Sequence, residues 1–120
     1  MDFKGDEVLH RAGVIHLLWK KNIRNILDGK EPIGKFEQKS HKDCDLTAWI
    51  KQQQQNGKFD RSQLFKLNVI HIELHAVSTR IMHLFNRGER KEAETEYSTL
   101  ELLSDKLVNM LTSIYLGSPK

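Results

Sequence analysis

Residues 60–86 read DRSQLFKLNVIHIELHAVSTRIMHLFN, and this stretch decides the fold class of the chain. Its main apolar residues recur at alternating steps of three and four, which is the spacing of one face of an α-helix. Asp60 is suited to cap the helix, because its side chain can accept a hydrogen bond from the first turn. We therefore predict a long helix from Asp60 to about Asn86. Its buried stripe consists of Leu67, Ile70, Leu74, Val77, Ile81 and Leu84.

Three other segments show the same helical spacing. The first covers about residues 6–28, and Gly29 follows it as a stop signal. A short helix follows Asp43, its expected N-cap, and ends at Gly57, a residue that favours turns. The last covers about residues 89–115. The inward-facing residues predicted in the first helix are Val8, Ala12, Ile15, Trp19, Ile23 and Ile26.

These segments predict an all-α protein. The chain contains only 2 prolines and 7 glycines, and its apolar spacing favours helices over sheet. Three long helices and a short one, with a tight turn between the last two, predict an antiparallel four-helix bundle in which a short extra helix carries Cys44. A chain of 120 residues is expected to form a single domain, residues 1–120. The aromatic residues expected in its core are Trp19, Trp49, Phe65, Phe85 and Tyr97.

The charges of the chain are typical of a solvated surface. The 19 Lys and Arg and the 16 Asp and Glu residues give a net charge of +3 and are interleaved along the sequence. The densest basic cluster, Lys20, Lys21 and Arg24, lacks interleaved aromatic residues, so we expect no nucleic-acid partner. No long apolar run and no signal peptide is found, so we expect a soluble, unsecreted protein without a membrane span. The single cysteine, Cys44, fits a reducing cytoplasm.

The segment HIELH, residues 71–75, is the first candidate for chemistry. Because each helical residue advances by about 100°, His71 and His75 lie about 40° apart and one turn along, where both imidazoles can reach one ion. Glu73 points the other way, so the segment differs from H-E-x-x-H, in which the glutamate is the general base of a zinc peptidase. On spacing alone, an ordinary pair of partly buried or surface histidines remains an alternative.

Two further residues can complete a metal site. His16 lies on the expected inner side of the first helix, and Cys44 lies where a long connection meets the short helix. With His71 and His75 they offer four nitrogen and sulfur donors, the number and type that tetrahedral Zn²⁺ prefers. The set is unusual, because common structural zinc sites use at least two cysteines. The remaining histidines, expected at the surface, are His10, His41 and His83.

Three alternatives remain open on these residues. A zinc hydrolase or lyase would keep an open coordination position, but Cys44 closes the fourth place and no general base stands at a motif-like distance. A di-iron helical bundle needs bridging carboxylates, and Glu73 faces away from the histidine pair. His41, three residues before Cys44, is the other histidine best placed to join the site.

Three blocks carry a resemblance to a known family. They read His16-Leu-Leu-Trp19, Cys44-Asp-Leu-Thr-Ala-Trp49 and His71-Ile-Glu-Leu-His75. In this order and at these intervals they resemble the chemoreceptor zinc-binding (CZB) domain family. Its pattern is a histidine with an aromatic residue or leucine three positions on, a Cys-x-hydrophobe-Gly-x-hydrophobe segment, and His-x-x-x-His. Thr47 stands where the family usually has glycine, which is expected to alter the close packing after the cysteine.

The resemblance implies a bacterial four-helix bundle that binds Zn²⁺ and regulates signalling, commonly as a homodimer. Family members are mostly attached to chemoreceptors or diguanylate cyclases, in chemotaxis or cyclic-di-GMP signalling, where zinc occupancy or cysteine oxidation changes the output. This chain carries no output module, so we expect a stand-alone domain that acts on such a partner in trans, or a domain cut from a longer protein. It is not expected to be an enzyme. The implied zinc ligands are His16, Cys44, His71 and His75.

The expected mode of sensing depends on Cys44. Zinc can be bound only when the first helix, the Cys44 segment and the third helix are docked together, so metal binding and bundle stability are coupled. Loss of the thiolate, by acid or by oxidation, should free the short helix that carries Leu46 and Trp49. Val69 and Ile72, apolar residues beside the main stripe of the third helix, predict a second apolar face and hence a dimer.

Overall fold

The computed structural model describes residues 3–30, 44–57 and 59–115. Its helices are α1 (Phe3–Leu27), α2 (Asp45–Asn56), α3 (Arg61–Asn86) and α4 (Arg90–Tyr115). The described residues contain no strand, so the all-α class predicted from the apolar spacing is confirmed. Among these helices, none combines the length and the low polarity that crossing a membrane requires. Three positions used in the sequence predictions lie outside the described part of the chain: the side chain of Val8, His41 and Asp43.

The helix ends follow local signals. The carboxylate of Asp60 accepts a hydrogen bond of 2.9 Å from the backbone N–H of Ser62, which caps α3 as predicted. Gly57 ends α2 with a φ of 70°, a left-handed conformation that glycine adopts without steric cost. The N-cap of α2 is Cys44, with extended backbone angles and no capping hydrogen bond from its side chain. The prediction that Asp43 takes this position is therefore wrong.

α3 runs antiparallel to both α4 and α2. α3 and α4 form a hairpin through the turn at residues 87–89, and Arg80 pairs with Glu96 across it at 3.1 Å. The end of α2 lies next to the start of α3 in the chain, whereas Thr47 in the first turn of α2 lies beside His71, well along α3. α2 therefore runs opposite to α3, and the predicted antiparallel four-helix bundle is confirmed.

A charged cluster holds the C-terminal end of α1 against the start of α4. The guanidinium of Arg24 donates hydrogen bonds of 2.8 Å to Glu94 and 2.8 Å to Asp28, and its Cζ lies 4.7 Å from the centroid of the Tyr97 ring. The hydrogen bonds from Arg24 lower the pKa of the Glu94 carboxyl, against a smaller opposing effect of burial. His16 is eight residues, or about 12 Å, away along α1, so this cluster is separate from the histidines.

All four helices contribute apolar side chains to the core, with two differences from prediction. Ile15 is exposed, because the inner line of α1 runs through Ala12 and His16, and adjacent helical residues point about 100° apart. Phe65 is 65% exposed, since Leu64 takes the inward position beside it. The largest fully buried apolar side chains are Ile23, Ile26, Leu46, Ile50, Leu64, Leu67, Val77, Ile81, Leu100 and Leu107.

Candidate metal centre

His16 on α1 points into the bundle, and only 2% of its surface is exposed. Its Nδ1 lies 2.6 Å from the carbonyl oxygen of Ala12, one turn earlier, so the Nδ1–H donates to that oxygen. This hydrogen bond selects the tautomer in which Nε2 is unprotonated and can bind a metal. Burial lowers the pKa of His16 and so favours the neutral imidazole, an effect that the Ala12 hydrogen bond partly offsets.

His71 and His75 lie one turn apart on α3 and are 0% and 5% exposed. The spacing alone did not decide whether this pair points into the bundle or lies partly at its surface. The structure places both imidazoles inside the bundle. Their Nε2 atoms are 3.0 Å apart, and Nε2 of His71 is 3.2 Å from Nε2 of His16. Three ring nitrogens from two helices therefore converge on one point.

Cys44 brings a sulfur atom to the same point. As the N-cap residue of α2 it precedes the first helical turn, and its side chain is half-buried. Its Sγ lies 3.7 Å from Nε2 of His16. The partial positive charge at the N-terminus of a helix favours a thiolate, which is the form of cysteine that binds metals.

The separations suit a single tetrahedral zinc ion. With Zn–N bonds of about 2.0–2.1 Å and a Zn–S bond of about 2.3 Å, tetrahedral angles put two nitrogen ligands about 3.3–3.4 Å apart and a nitrogen and a sulfur about 3.6 Å apart. The N–N distances of 3.0 and 3.2 Å and the N–S distance of 3.7 Å are close to these values. All four candidate ligand atoms lie within 4.8 Å of one another. The donor set therefore fits Zn²⁺.

Three other side chains considered from the sequence, all within the described part of the chain, do not join this cluster, whereas His41 lies outside that part. His10 and His83 are exposed, and so is Glu73 on α3. Among the described residues, one group of three or more His, Cys, Asp or Glu side chains lies close enough together to share an ion, and it consists of His16, Cys44, His71 and His75. The described structure brings no carboxylate into it.

Two neighbours of the cluster, Trp19 and Thr47, were predicted from the sequence only as packing residues. The ring of Trp19 packs on that of His75, with centroids 4.5 Å apart, and so covers one side of the cluster. Oγ1 of Thr47 lies 3.4 Å from Nδ1 of His71. Residues three apart share a helix face, so the three-residue spacing from Cys44 was a signal that Thr47 also faces the centre.

Comparison with known proteins identifies the family. The family model described as the chemoreceptor zinc-binding domain matches residues 16–82, which is more than half of the chain and includes the whole cluster. No match was found among curated proteins or among solved structures. The family is one of regulatory zinc-binding domains found in signalling proteins. With a matching family model, the helical fold and a cluster of three histidines and a cysteine, the chain belongs to the chemoreceptor zinc-binding domain family.

Proposed function

We propose that this protein binds one Zn²⁺ through Nε2 of His16, His71 and His75 and Sγ of Cys44, as a regulatory site. The observation that carries the proposal is the convergence of these four atoms in an interior that contains no nearby carboxylate among the described residues. A bound zinc ion would supply a crosslink between three helices. Four protein ligands fill a tetrahedral shell, which suits a structural or sensory role and not a hydrolase.

Zinc binding and helix docking are coupled in this proposal. The ligands come from α1, from the N-cap of α2 and from α3, so the ion can be held only while these three elements are packed together. Any ligand that binds only the folded state stabilises that state by mass action. Zinc occupancy therefore controls how firmly α2 is held.

Oxidation of Cys44 is the second proposed input. Cys44 is half-buried, so hydrogen peroxide can reach its sulfur; a thiolate there takes one oxygen atom from the peroxide, which leaves a sulfenate and water. The chain has 1 cysteine, so no intrachain partner can convert the product to a disulfide. Loss of the thiolate releases the first turn of α2. Trp49 and Ile50, beyond that turn, are buried in the core, so the helix loosens at its start and does not detach as a whole.

The wider role follows from the family and from the surface. We propose that residues 1–120 form one cytoplasmic domain that dimerises and acts in trans on a chemoreceptor or a diguanylate cyclase. α4 lies beyond the family match but packs its own buried residues into the shared core. A single cysteine kept as a thiolate suits a reducing compartment. The exposed apolar side chains that support a dimer are Val14, Ile15, Leu17 and Leu18 on α1 and Val69 and Ile72 on α3.

Metal analysis of purified variants tests the site. Wild type is expected to retain one zinc per chain after dialysis against a weak chelator, and single alanine substitutions at His16, Cys44, His71 and His75 are each expected to lose most of it. His83→Ala is the matched control, because His83 is an exposed histidine on the same helix as the pair. Retention of zinc by the Cys44→Ala protein would refute the sulfur ligand. Equal zinc loss in His83→Ala would refute the whole assignment.

A further inference from the structure

Thr47 connects the first turn of α2 to one of the clustered imidazoles. Its side chain is buried, and its Oγ1 lies 3.4 Å from Nδ1 of His71. The other nitrogen of that ring, Nε2, lies 3.2 Å from Nε2 of His16 and 3.0 Å from Nε2 of His75. The imidazole of His71 thus presents one nitrogen to the hydroxyl and the other to the candidate metal centre.

The chemistry of imidazole links these two contacts. In the neutral ring only one nitrogen carries the proton, and a metal ligand must present the other one. A hydroxyl oxygen can accept a hydrogen bond from Nδ1–H, which favours the tautomer with Nε2 available to the ion. His16 shows the same arrangement, with the Ala12 carbonyl oxygen 2.6 Å from its Nδ1. The two histidines therefore have equivalent outer partners, one a backbone carbonyl and one a side-chain hydroxyl.

The position of Thr47 ties this contact to the cysteine. The backbone N–H of Thr47 donates a hydrogen bond of 3.0 Å to the carbonyl of Cys44, so the two residues belong to one rigid turn. That turn reaches the centre directly through Sγ of Cys44 and indirectly through His71. A shift of the start of α2 would disturb both contacts together.

We propose that Thr47 is a positioning residue of the metal centre: its hydroxyl accepts the Nδ1–H of His71, fixes the tautomer and orientation of that ring, and strengthens zinc binding. The inference rests on the proposed zinc function and adds to it a residue that is not itself a ligand. Loss of an outer hydrogen-bond partner of a ligating histidine typically weakens metal binding by about 10–100-fold. The distance of 3.4 Å between Oγ1 of Thr47 and Nδ1 of His71 is long for a hydrogen bond. The expected loss of zinc affinity is therefore at the low end of this range, about tenfold.

The test compares two substitutions of similar size. Thr47→Val removes the hydroxyl and keeps the shape of the side chain, whereas Thr47→Ser keeps the hydroxyl. Zinc affinity is measured by competition with a coloured chelator, and long-range ¹H–¹⁵N NMR of the zinc-loaded protein reports the Nδ1–H of each histidine. We expect Thr47→Val to bind zinc about tenfold more weakly and to shift or broaden the His71 Nδ1–H signal. Thr47→Ser should stay close to wild type, and the His16 signal should not change in either variant.

Two results would overturn the role of Thr47. One is a Thr47→Val protein with wild-type affinity and an unchanged His71 Nδ1–H signal. The other is an equal loss of affinity in Thr47→Ser and Thr47→Val, which would assign the effect to packing and not to the hydroxyl. If the valine variant does not fold, Thr47→Ala is compared with Thr47→Ser on the same criteria. Failure of wild type itself to bind zinc would overturn the proposed function as well, so the two failures are distinguishable.

Discussion

Three buried histidines, His16, His71 and His75, are energetically costly in an otherwise apolar interior. An apolar side chain in such a position would contribute about 1.5–3 kcal/mol through burial, whereas a buried imidazole needs hydrogen-bond partners. Ala12 and Thr47 lie next to the Nδ1 atoms of His16 and His71, and the Nε2 atoms of both rings face one another and His75. A shared cation is the simplest physical reason for three imidazoles to converge in this way.

The substitution His71→Leu separates the destabilisation caused by burying an imidazole from the contribution of that imidazole to zinc binding. Leucine is of similar size and needs no hydrogen bond, so the zinc-free variant should be more stable than zinc-free wild type by about 1 kcal/mol. The same variant should bind no zinc. Thermal unfolding in the presence of a strong chelator measures the first effect, with the exposed His83→Leu as a control that should change neither property. A zinc-free His71→Leu protein that is less stable than zinc-free wild type would contradict this explanation.

At the residue scale, the sequence predicted the members of the cluster better than its surroundings. The i, i+4 spacing of His71 and His75 is local and readable, His16 and Cys44 were added as the nitrogen and sulfur donors that could complete a site, and the family resemblance implied the same four ligands. The contact of Thr47 with His71 depends on how α2 is set against α3, which no local pattern encodes. The same limit explains the wrong burial predictions for Ile15 and Phe65, because local spacing leaves the orientation of a helix uncertain by about one residue.

At the scale of elements, α2 is the helix whose docking depends most on the centre. It has 12 residues, which is too short for a helix to be stable alone in water, so tertiary contacts must hold it. Its N-cap residue makes no capping hydrogen bond with its side chain, and that side chain belongs to the cluster instead. If the cluster binds zinc as proposed, the start of α2 depends on the metal, while its later turns depend on buried apolar residues such as Trp49 and Ile50.

Hydrogen exchange can test this division within α2. Removal of zinc, or treatment of the zinc-loaded protein with peroxide, should speed amide exchange most in residues 45–49 and less in the later turns of the helix. The α3–α4 hairpin contains a core that does not involve Cys44, and its exchange in residues 90–100 should change little. A uniform increase across all helices would mean that the metal supports the whole fold and not a local switch.

The Arg24 cluster holds α1 against α4 independently of the metal. Arg24 is 31% and Glu94 is 49% exposed, so solvent screening limits the pair to about 0.5–1 kcal/mol. The double-mutant cycle of Arg24→Gln and Glu94→Gln, followed by thermal unfolding, should give this coupling energy at pH 7, with and without zinc. Arg80→Gln is the comparison variant and should cost less, because the Arg80 side chain is 56% exposed against 31% for Arg24.

The pH dependence of the Arg24–Glu94 coupling has a definite sign. The pKa of Glu94 lies below its ordinary value of 4.5 in the folded protein, so the pair stabilises the fold fully at pH values above 4.5. The stabilisation is lost as the pH falls through the lower, folded-state pKa, where the carboxylate takes up a proton. A coupling energy that grows as the pH is lowered would contradict the assigned ion pair.

At the scale of the whole molecule, zinc should act as a stabilising ligand. With free zinc at a hundred times its dissociation constant, mass action adds about 2.7 kcal/mol to the free energy of unfolding. For a domain of this size, that corresponds to a rise of roughly 10 °C in the unfolding temperature. Calorimetry of wild type with zinc and with chelator measures the rise, and the Cys44→Ala protein should show much less of it. An equal rise in wild type and in the Cys44→Ala protein would mean that the stabilising zinc ion binds at a site that does not include Cys44.

The architecture was the most predictable level of this protein. The predicted bounds of all four helices agree with the observed ones within three residues, because capping and apolar spacing are local properties. The antiparallel packing of α3 and α4 followed from the tight turn between them. The sequence alone did not determine the exact rotation of each helix about its own axis. That rotation is what buries the histidine pair and brings the cysteine within reach of His16.

X-ray absorption at the zinc edge tests the central claim most directly, since it reports the atoms bound to the ion without requiring crystals. For the wild-type protein loaded with one zinc per chain, the account predicts one sulfur at about 2.3 Å and three nitrogens at about 2.0–2.1 Å, in a four-coordinate shell. Any zinc still bound by the Cys44→Ala protein should show no sulfur contribution. A wild-type spectrum without sulfur, or one dominated by oxygen ligands, would contradict a centre built from His16, Cys44, His71 and His75.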